Sequence, residues 1–510
     1  MPNIGGIMLE LKNVTITRNE RVLVKDLSFT VNEGDKLAII GEEGVGKTTL
    51  LKAIMGEKED ITTTGVINYK GKLGYLSQTL KKENRMVTGY HFLFQKEEEY
   101  YEKISNFYEI IETLNLNSNI LEQKISTLSG GEKIKLGILK ILLEECDVYL
   151  FDEPTNDLDI ETLLWLENFI NQTSKPIIFV SHDETLLSTT ANMIVHLEQW
   201  KKRTECRNTV LKIDYDTYVE QRLQKIKKQT QQATREKRDF LKKQKKLMQI
   251  MQKVEYQQNT ISRKNPHGAK VLKKKMHTLK YQEKKLNTEK LTELPDMEEG
   301  IYFFFEIKPI PNSKRILQIT IPKLTVEEKE LSKNIQLEIF GGKHIGIIGK
   351  NGVGKTTLMK QIYNTLKDRT DIRVGYMPQN YEEILKDYEY VLDFLSSTHS
   401  KDISEIRAYL GNMKFTKEEM QGKIQDLSNG TKAKLFLLKF ILDECNVLLL
   451  DEPTRNLSPL SNPVIRNVLK NYPGAIISIS HDRKFLFEVI DEIYHLDENG
   501  LLKQTWEEEN

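Results

Sequence analysis

The sequence contains no uninterrupted apolar run of about 18 residues, the length a membrane-spanning helix needs. The nearest approach, LFLLKFILDECNVLLL at 435–450, is cut by Lys439, Asp443 and Glu444. The opening MPNIGGIMLELKN lacks the basic flank and long apolar core of a signal peptide. Three cysteines in 510 residues are too few for a disulfide framework and suit a reducing compartment. Two of them, Cys146 and Cys445, sit just before apolar runs, the pattern of buried structural thiols. What remains is an expected soluble, cytoplasmic chain, 39% hydrophobic and 29% charged, long enough for two to four domains.

Net charge is also nearly absent, at +1, but that average hides an asymmetry. Between Lys201 and Lys290 stand 27 Lys and Arg against 9 Asp and Glu, a local net of +18. Such an excess marks an element that faces a polyanion.

The chain repeats itself around this basic stretch. GEEGVGKTTL at 41–50 returns as GKNGVGKTTL at 349–358, and LGYLSQ at 73–78 as VGYMPQ at 374–379. TLSGGEKIKL at 127–136 returns as DLSNGTKAKL at 426–435. VYLFDEPT at 148–155 returns as VLLLDEPT at 447–454, and IIFVSHD at 177–183 as IISISHD at 476–482. Matches in one order imply duplication. Within each copy, short apolar runs alternate with helical stretches, which predicts an α/β fold with a mostly parallel sheet. The expected divisions are 1–199, 200–299 and 300–510.

Each repeated stretch has a chemical reading. GEEGVGKT and GKNGVGKT fit the phosphate-binding P-loop pattern. Gly41, Gly44 and Gly46, like Gly349, Gly352 and Gly354, let backbone N–H groups wrap phosphates. Lys47 and Lys355 reach the β- and γ-phosphates, and Thr48 and Thr356 offer hydroxyls to Mg²⁺, with Thr49 and Thr357 beside them. Asp152 and Asp451, ending apolar strands, suit a hold on Mg²⁺. Glu153 and Glu452 stand where a base polarises an attacking water. His182 and His481 follow further strands and read as γ-phosphate contacts; Gln78 and Gln379 read as sensors of Mg²⁺ and the γ-phosphate. Ser129 with Gly131, and Ser428 with Gly430, open amphipathic helices whose N-termini favour an anion.

This set resembles the ATP-binding cassette superfamily, with its Walker A, Q-loop, signature, Walker B, D-loop and H-switch present twice. The resemblance implies ATP and Mg²⁺ as cofactors, ATPase activity, and head-to-tail pairing in which each signature closes on the other domain's Walker A. The basic insert selects among such proteins. Residues 214–254 place Leu223, Ile226, Ala233, Phe240, Leu247, Met251 and Val254 on one helical seam, and Ala269, Leu272, Met276, Leu279 and Leu286 continue it after an expected loop near 255–268. That predicts a long antiparallel helical hairpin with a Lys- and Arg-rich outer face. An importer's tandem ATPase lacks such an insert.

A tandem cassette with a long basic helical linker resembles the ABC-F family of ribosome-binding translation factors. IDYDTYVEQR at 213–222 looks like the start of that family's linker. The resemblance implies a monomer bound in the E site of the 70S ribosome, with no membrane or DNA partner. Its linker, with a tip near 244–262, would be directed at 23S rRNA and the P-site tRNA. The candidate contact residues are Lys242, Lys243, Lys245, Lys246, Met248, Ile250, Tyr256, Arg263 and Lys264. DEPTRNLSPLSNPVIR at 451–466 looks more narrowly like the antibiotic-resistance branch of Vga and Vml type, acting against lincosamides, pleuromutilins and streptogramin A. The alternative readings are a housekeeping factor acting on stalled ribosomes and, behind it, the tandem ATPase subunit of an importer.

The copies are unequal. LSNGT, the acidic Glu42 and Glu43, and the D-loop RNLS in place of NDLD are all assigned by head-to-tail pairing to the first ATP site. Asn429 is read as a stand-in for a left-handed glycine. The first site is therefore expected to bind ATP and hydrolyse it differently, more slowly than the second. No aromatic residue stands in TITRNERVL or TIPKLTVEEKEL to stack on a base.

Overall fold

The computed structural model describes residues 6–57, 60–77, 86–94, 96–114, 116–156, 158–200, 205–260, 266–288, 307–326, 329–397, 402–413, 415–455 and 457–504. The chain forms two compact units. One joins Met1–Asp216 to Glu298–Asn510, so both sequence repeats share it; the other is Thr217–Met297.

In the first half, β1 (Ile7–Arg18), β2 (Arg21–Asn32) and β4 (Ile61–Tyr69) make an antiparallel sheet in the order β2-β1-β4. A second sheet runs β5-β6-β7-β3-β8-β9, built from β3 (Lys36–Ile40), β5 (Leu73–Leu76), β6 (Val148–Asp152), β7 (Ile177–Val180), β8 (Met193–Trp200) and β9 (Glu205–Leu211). Its pairings are parallel except β8 with β9. All five residues of β3 and of β6 are buried, which is why KLAII and VYLFD read as continuous apolar runs rather than alternating ones. Because β9 pairs with β8, this mostly parallel sheet of the first half extends past residue 199.

The second half repeats this plan. An antiparallel pair, β10 (Arg315–Val326) and β11 (Lys329–Phe340), accompanies the sheet β13-β14-β15-β12-β16-β17. That sheet comprises β12 (His344–Ile348), β13 (Val374–Met377), β14 (Val447–Asp451), β15 (Ala475–Ile479), β16 (Glu492–Asp497) and β17 (Gly500–Gln504). In both sheets the strand leading into the P-loop neighbours the strand leading into the histidine, which neighbours the strand ending in Asp-Glu. Parallel strands bring those three carboxyl ends to one edge, where open α/β sheets bind ligands.

The other unit holds two helices, Tyr215–Thr260, which begins in the first unit, and Pro266–Asn287. Two expectations are corrected here. The first helix continues to Thr260 instead of ending near 255, because VEYQQNT contains no Gly or Pro to break it. The second starts at Pro266, the residue best suited to a first helical turn. Leu223, assigned to the seam, is 47% exposed, whereas Ala233 and Val254 of the first helix and Leu279 and Leu286 of the second are buried. Ile226, Phe240, Leu247, Met251, Leu272 and Met276 are half-buried. Among the described residues, no helix is long and apolar enough to cross a membrane.

Candidate functional site

The two P-loops are set by close backbone approaches. Gly41 has φ 147°, and a Cβ there would lie 2.3 Å from the Leu197 carbonyl oxygen. Gly349 has φ 145° and the same restriction against the Leu496 carbonyl. Only glycine tolerates both conditions. The helices that follow, Lys47–Ile54 and Lys355–Leu366, start at left-handed Gly46 and Gly354 with no side-chain cap, leaving their first N–H groups for an anion. Both lysines fold back over their own loops. Lys47 Nζ donates to the carbonyls of Gly41 at 2.8 Å and Glu42 at 3.1 Å. Lys355 Nζ donates to Gly349 O at 2.6 Å and Lys350 O at 3.0 Å.

The acidic strand ends meet these loops. Thr48 Oγ1 donates to Asp152 Oδ1 at 3.0 Å, and the Tyr75 hydroxyl donates to Asp152 Oδ2 at 3.1 Å. Burial raises the Asp152 pKa above its ordinary value, against the pull of these two hydroxyls. In the second half burial pushes Asp451 up to about 6, opposed by a hydrogen bond from Thr356. Asp451 Oδ2 and the Tyr376 hydroxyl are buried without hydrogen-bond partners among the described residues. A hydroxyl, a buried carboxylate and an unsatisfied oxygen fit a Mg²⁺ ion that takes its other ligands from phosphates and water.

Glu153 and Glu452 both carry left-handed backbones, φ 51° and 55°, a conformation that strains a non-glycine residue and concentrates at functional sites. Their electrostatics differ. Burial opposes ionisation of Glu153, but His182 Nε2 at 3.0 Å and Lys47 outweigh it and hold the carboxyl below its ordinary value. At Glu452 burial and the neighbouring Asp451 charge dominate over Arg455 and Lys355, pushing the carboxyl up to about 8. His481 Nε2 is 3.8 Å away, and burial with the Lys355 charge pushes this imidazole down to about 4.

The signature stretches are helix starts. Ser129 caps Gly130–Leu143 in a capping box: the Glu132 N–H donates to Ser129 Oγ at 3.2 Å and the Ser129 N–H to Glu132 Oε2 at 2.8 Å. In the second copy Ser428 caps Asn429–Leu442, and Thr431, which replaces the glutamate, holds only the Ser428 hydroxyl. Asn429 is the first residue of a right-handed helix, not a left-handed position. Asn429 therefore does not stand in for a left-handed glycine; the Ser428 cap, not a turn glycine, makes this helix start.

The halves meet at both sites. The Gly430 N–H donates to Glu43 Oε2 at 2.8 Å, tying the second signature helix to the first P-loop. The cavity there, about 520 Å³, is lined by Gly44, Lys47, Thr49, Glu153, Asn429 and Arg455 among others. The reciprocal cavity, about 420 Å³, brings Gly130 beside Gly352, Thr357, Gln379, Glu452 and His481. His182, Asn156 and Arg455 line both. Buried charge pairs join the same faces: Arg466 grips Glu184 through two nitrogens at 2.5 and 3.1 Å, and Arg483 pairs with Glu167.

The family profile described as ABC transporter matches residues 24–156 and 332–455, half of the chain. The chain belongs to the ABC transporter family. Its two matched segments are ATP-binding cassettes, and the protein is an ATPase with two of them. Relatives include the uncharacterized ABC transporter ATP-binding protein YfmR of Bacillus subtilis, 27% identical over 98% of this chain and 82% of the relative. ABC transporter F family member 5 of Arabidopsis thaliana is also 27% identical, over 97% and 75%. The ATP-binding protein Uup of Buchnera aphidicola is 29% identical over 97% and 81%. Among solved structures, the archaeal ribosome recycling factor aABCE1, in complex with the ribosomal stalk protein aP1, shares the fold. It has TM-score 0.59 and 18% identity, with 96% of this chain and 89% of that chain covered.

Gln78, Arg263 and Lys264 lie outside the described residues, as do Asp157 and Asn456 of the D-loops. On the long helix, Lys242, Lys243, Lys245 and Lys246 are exposed, Met248 is 61% and Tyr256 71% exposed, and Ile250 is half-buried. Sequence reasoning missed Tyr75, although it stands inside the repeated LGYLSQ stretch. It also missed Arg18 and Arg21, which line the first cavity from the β1–β2 turn where an aromatic was sought.

Proposed function

We propose that this ATPase is a ribosome-binding protein of the ABC-F type, whose cassettes, 1–199 and 300–510, close on ATP while the linker 200–299 meets ribosomal RNA and tRNA. One observation carries the reading: two nucleotide cavities shared between cassettes, in a chain whose intervening stretch, Lys201–Lys290, holds a net +18. Exposed lysines on a long helix neutralise phosphate and release counterions, whatever the sequence of the nucleic acid. The likeness to ABC transporter F family member 5 and to the ribosome recycling factor aABCE1 supports it.

The residues divide the work as follows. P-loop N–H groups, Lys47 and Lys355 bind and orient the phosphates of ATP. Glu153 and Glu452 orient a water for in-line attack and take its proton; His182 and His481 hold the γ-phosphate beside them. Mg²⁺ would be held by Thr48 with Asp152, and by Thr356 with Asp451, near Gln78 and Gln379, and would offset phosphate charge. Ser129 with Gly131, and Ser428 with Gly430, close each site from the opposite cassette. Lys242, Lys243, Lys245, Lys246, Arg263 and Lys264 meet RNA phosphates, and Met248, Ile250 and Tyr256 meet bases or apolar surfaces. ATP binding selects the closed, ribosome-binding state, and hydrolysis releases it.

The test is sedimentation with 70S ribosomes. With a non-hydrolysable ATP analogue the protein co-pellets, and binding falls steeply as salt rises. Failure to pellet at any salt would sink the reading. A narrower function, displacement of lincosamide, pleuromutilin or streptogramin A drugs, rests on the resemblance at 451–466 and on exposed Met248 and Tyr256. Drug susceptibility of a sensitive Gram-positive host expressing the protein separates it from a general role on stalled ribosomes.

A further inference from the structure

The first nucleotide site contains its own anion. Glu43, in the P-loop, accepts the Gly430 N–H at 2.8 Å. Gly430 belongs to the first turn of Asn429–Leu442, whose N–H groups and dipole favour negative charge. The second site offers an internal comparison. At the corresponding place in GKNGVGKT stands Asn351, whose side-chain oxygen lies 3.4 Å from Lys355 Nζ. Asn351 carries no charge to set against a phosphate. Arg455 lines both cavities, so the added carboxylate of Glu43, and not this cation, distinguishes the first.

We infer that Glu43 occupies the seat of the γ-phosphate at the first site and thereby sets that site's preference among nucleotides. It competes with a triphosphate for the Gly430 N–H and repels its terminal charge, while a diphosphate, ending one phosphate short, leaves the contact intact. The first site thus discriminates weakly between ATP and ADP, and the second favours ATP. The same bond ties the first P-loop to the opposite signature helix. The inference rests on the nucleotide reading of both cavities.

Calorimetric titration of the full chain with ATP and with ADP, both with Mg²⁺, tests it. In the parent, two classes of site are expected, with unequal ATP-to-ADP affinity ratios. Glu43→Asn, which copies the second cassette, and Glu43→Gln, which removes only the charge, each raise the lower ratio by about tenfold, the scale of one close like-charge contact after screening. The other class stays within about twofold. Asn351→Glu lowers the higher ratio by a similar factor. Ratios unchanged in all three variants of a protein that binds two nucleotides would overturn the role of Glu43 alone. A parent that binds no ATP would overturn the nucleotide reading and this inference with it.

Discussion

Glu452 is a largely buried carboxyl group beside that of Asp451, and its displacement up to about 8 has a thermodynamic consequence. A folded state that holds a proton which the unfolded chain gives up loses stability as pH rises between the two pKa values. Stability of the nucleotide-free protein therefore falls between the ordinary glutamate range and about pH 8. Glu452→Gln removes the ionisation, so its melting temperature exceeds the parent's near pH 8 and converges on it near about pH 5. Equal melting temperatures at both ends would contradict the assignment. At Glu153, His182 and Lys47 reverse the sign, so the two glutamates are not equivalent. Single Glu153→Gln and Glu452→Gln variants are accordingly expected to slow ATP turnover by different factors. Matching rates in a phosphate-release assay would count against an asymmetric pair.

The sequence disclosed residues where one pattern has one use. The glycine, lysine and threonine of each P-loop, and the Asp-Glu strand ends, stand where their spacing places them. Contacts between positions far apart in the chain were not legible. Glu43 and Gly430 are 387 residues apart, and nothing local to either predicts their bond. Arg455 was visible as an odd residue, but not as one lining both cavities. Asn429 was misread because a helix start and a glycine turn share small residues, and only the backbone separates them.

At the scale of elements, the helices after the two histidines tie the halves together. Glu184 opens the helix Glu184–Thr190 and is buried against Arg466 of Asn462–Lys470, with Lys484 at 3.7 Å. Removing one partner strands a buried charge, so Glu184→Ala is expected to cost about 3–5 kcal/mol in denaturant unfolding. A cost below about 1 kcal/mol, the value of an exposed pair, would show the contact to be dispensable. The long helix was legible by its period, since its seam shows up as reduced exposure from Ile226 to Val254. Its end was misplaced because polar residues without a breaker do not stop a helix. Lys242, Lys243, Lys245 and Lys246 are exposed on this helix. Changing all four to glutamate should leave ribosome-free ATPase activity within about twofold and abolish co-sedimentation with ribosomes. Unchanged binding would place the nucleic-acid contact elsewhere.

At the scale of the molecule, each cavity takes residues from both cassettes, so a nucleotide bound at either site would touch both of them. Duplication made the two cassettes readable, because every stretch could be checked against its copy. Of the departures between copies, Glu43 and Asn429 line one cavity, and Arg455 lines both. Closure and release are the central claim, and the Glu153→Gln, Glu452→Gln double variant tests it most directly. Incubated with ATP and 70S ribosomes and then spun through sucrose, it is expected to stay on the ribosome with unhydrolysed ATP while the parent dissociates. A double variant that hydrolyses ATP at the parent's rate and leaves ribosomes as readily would contradict the account.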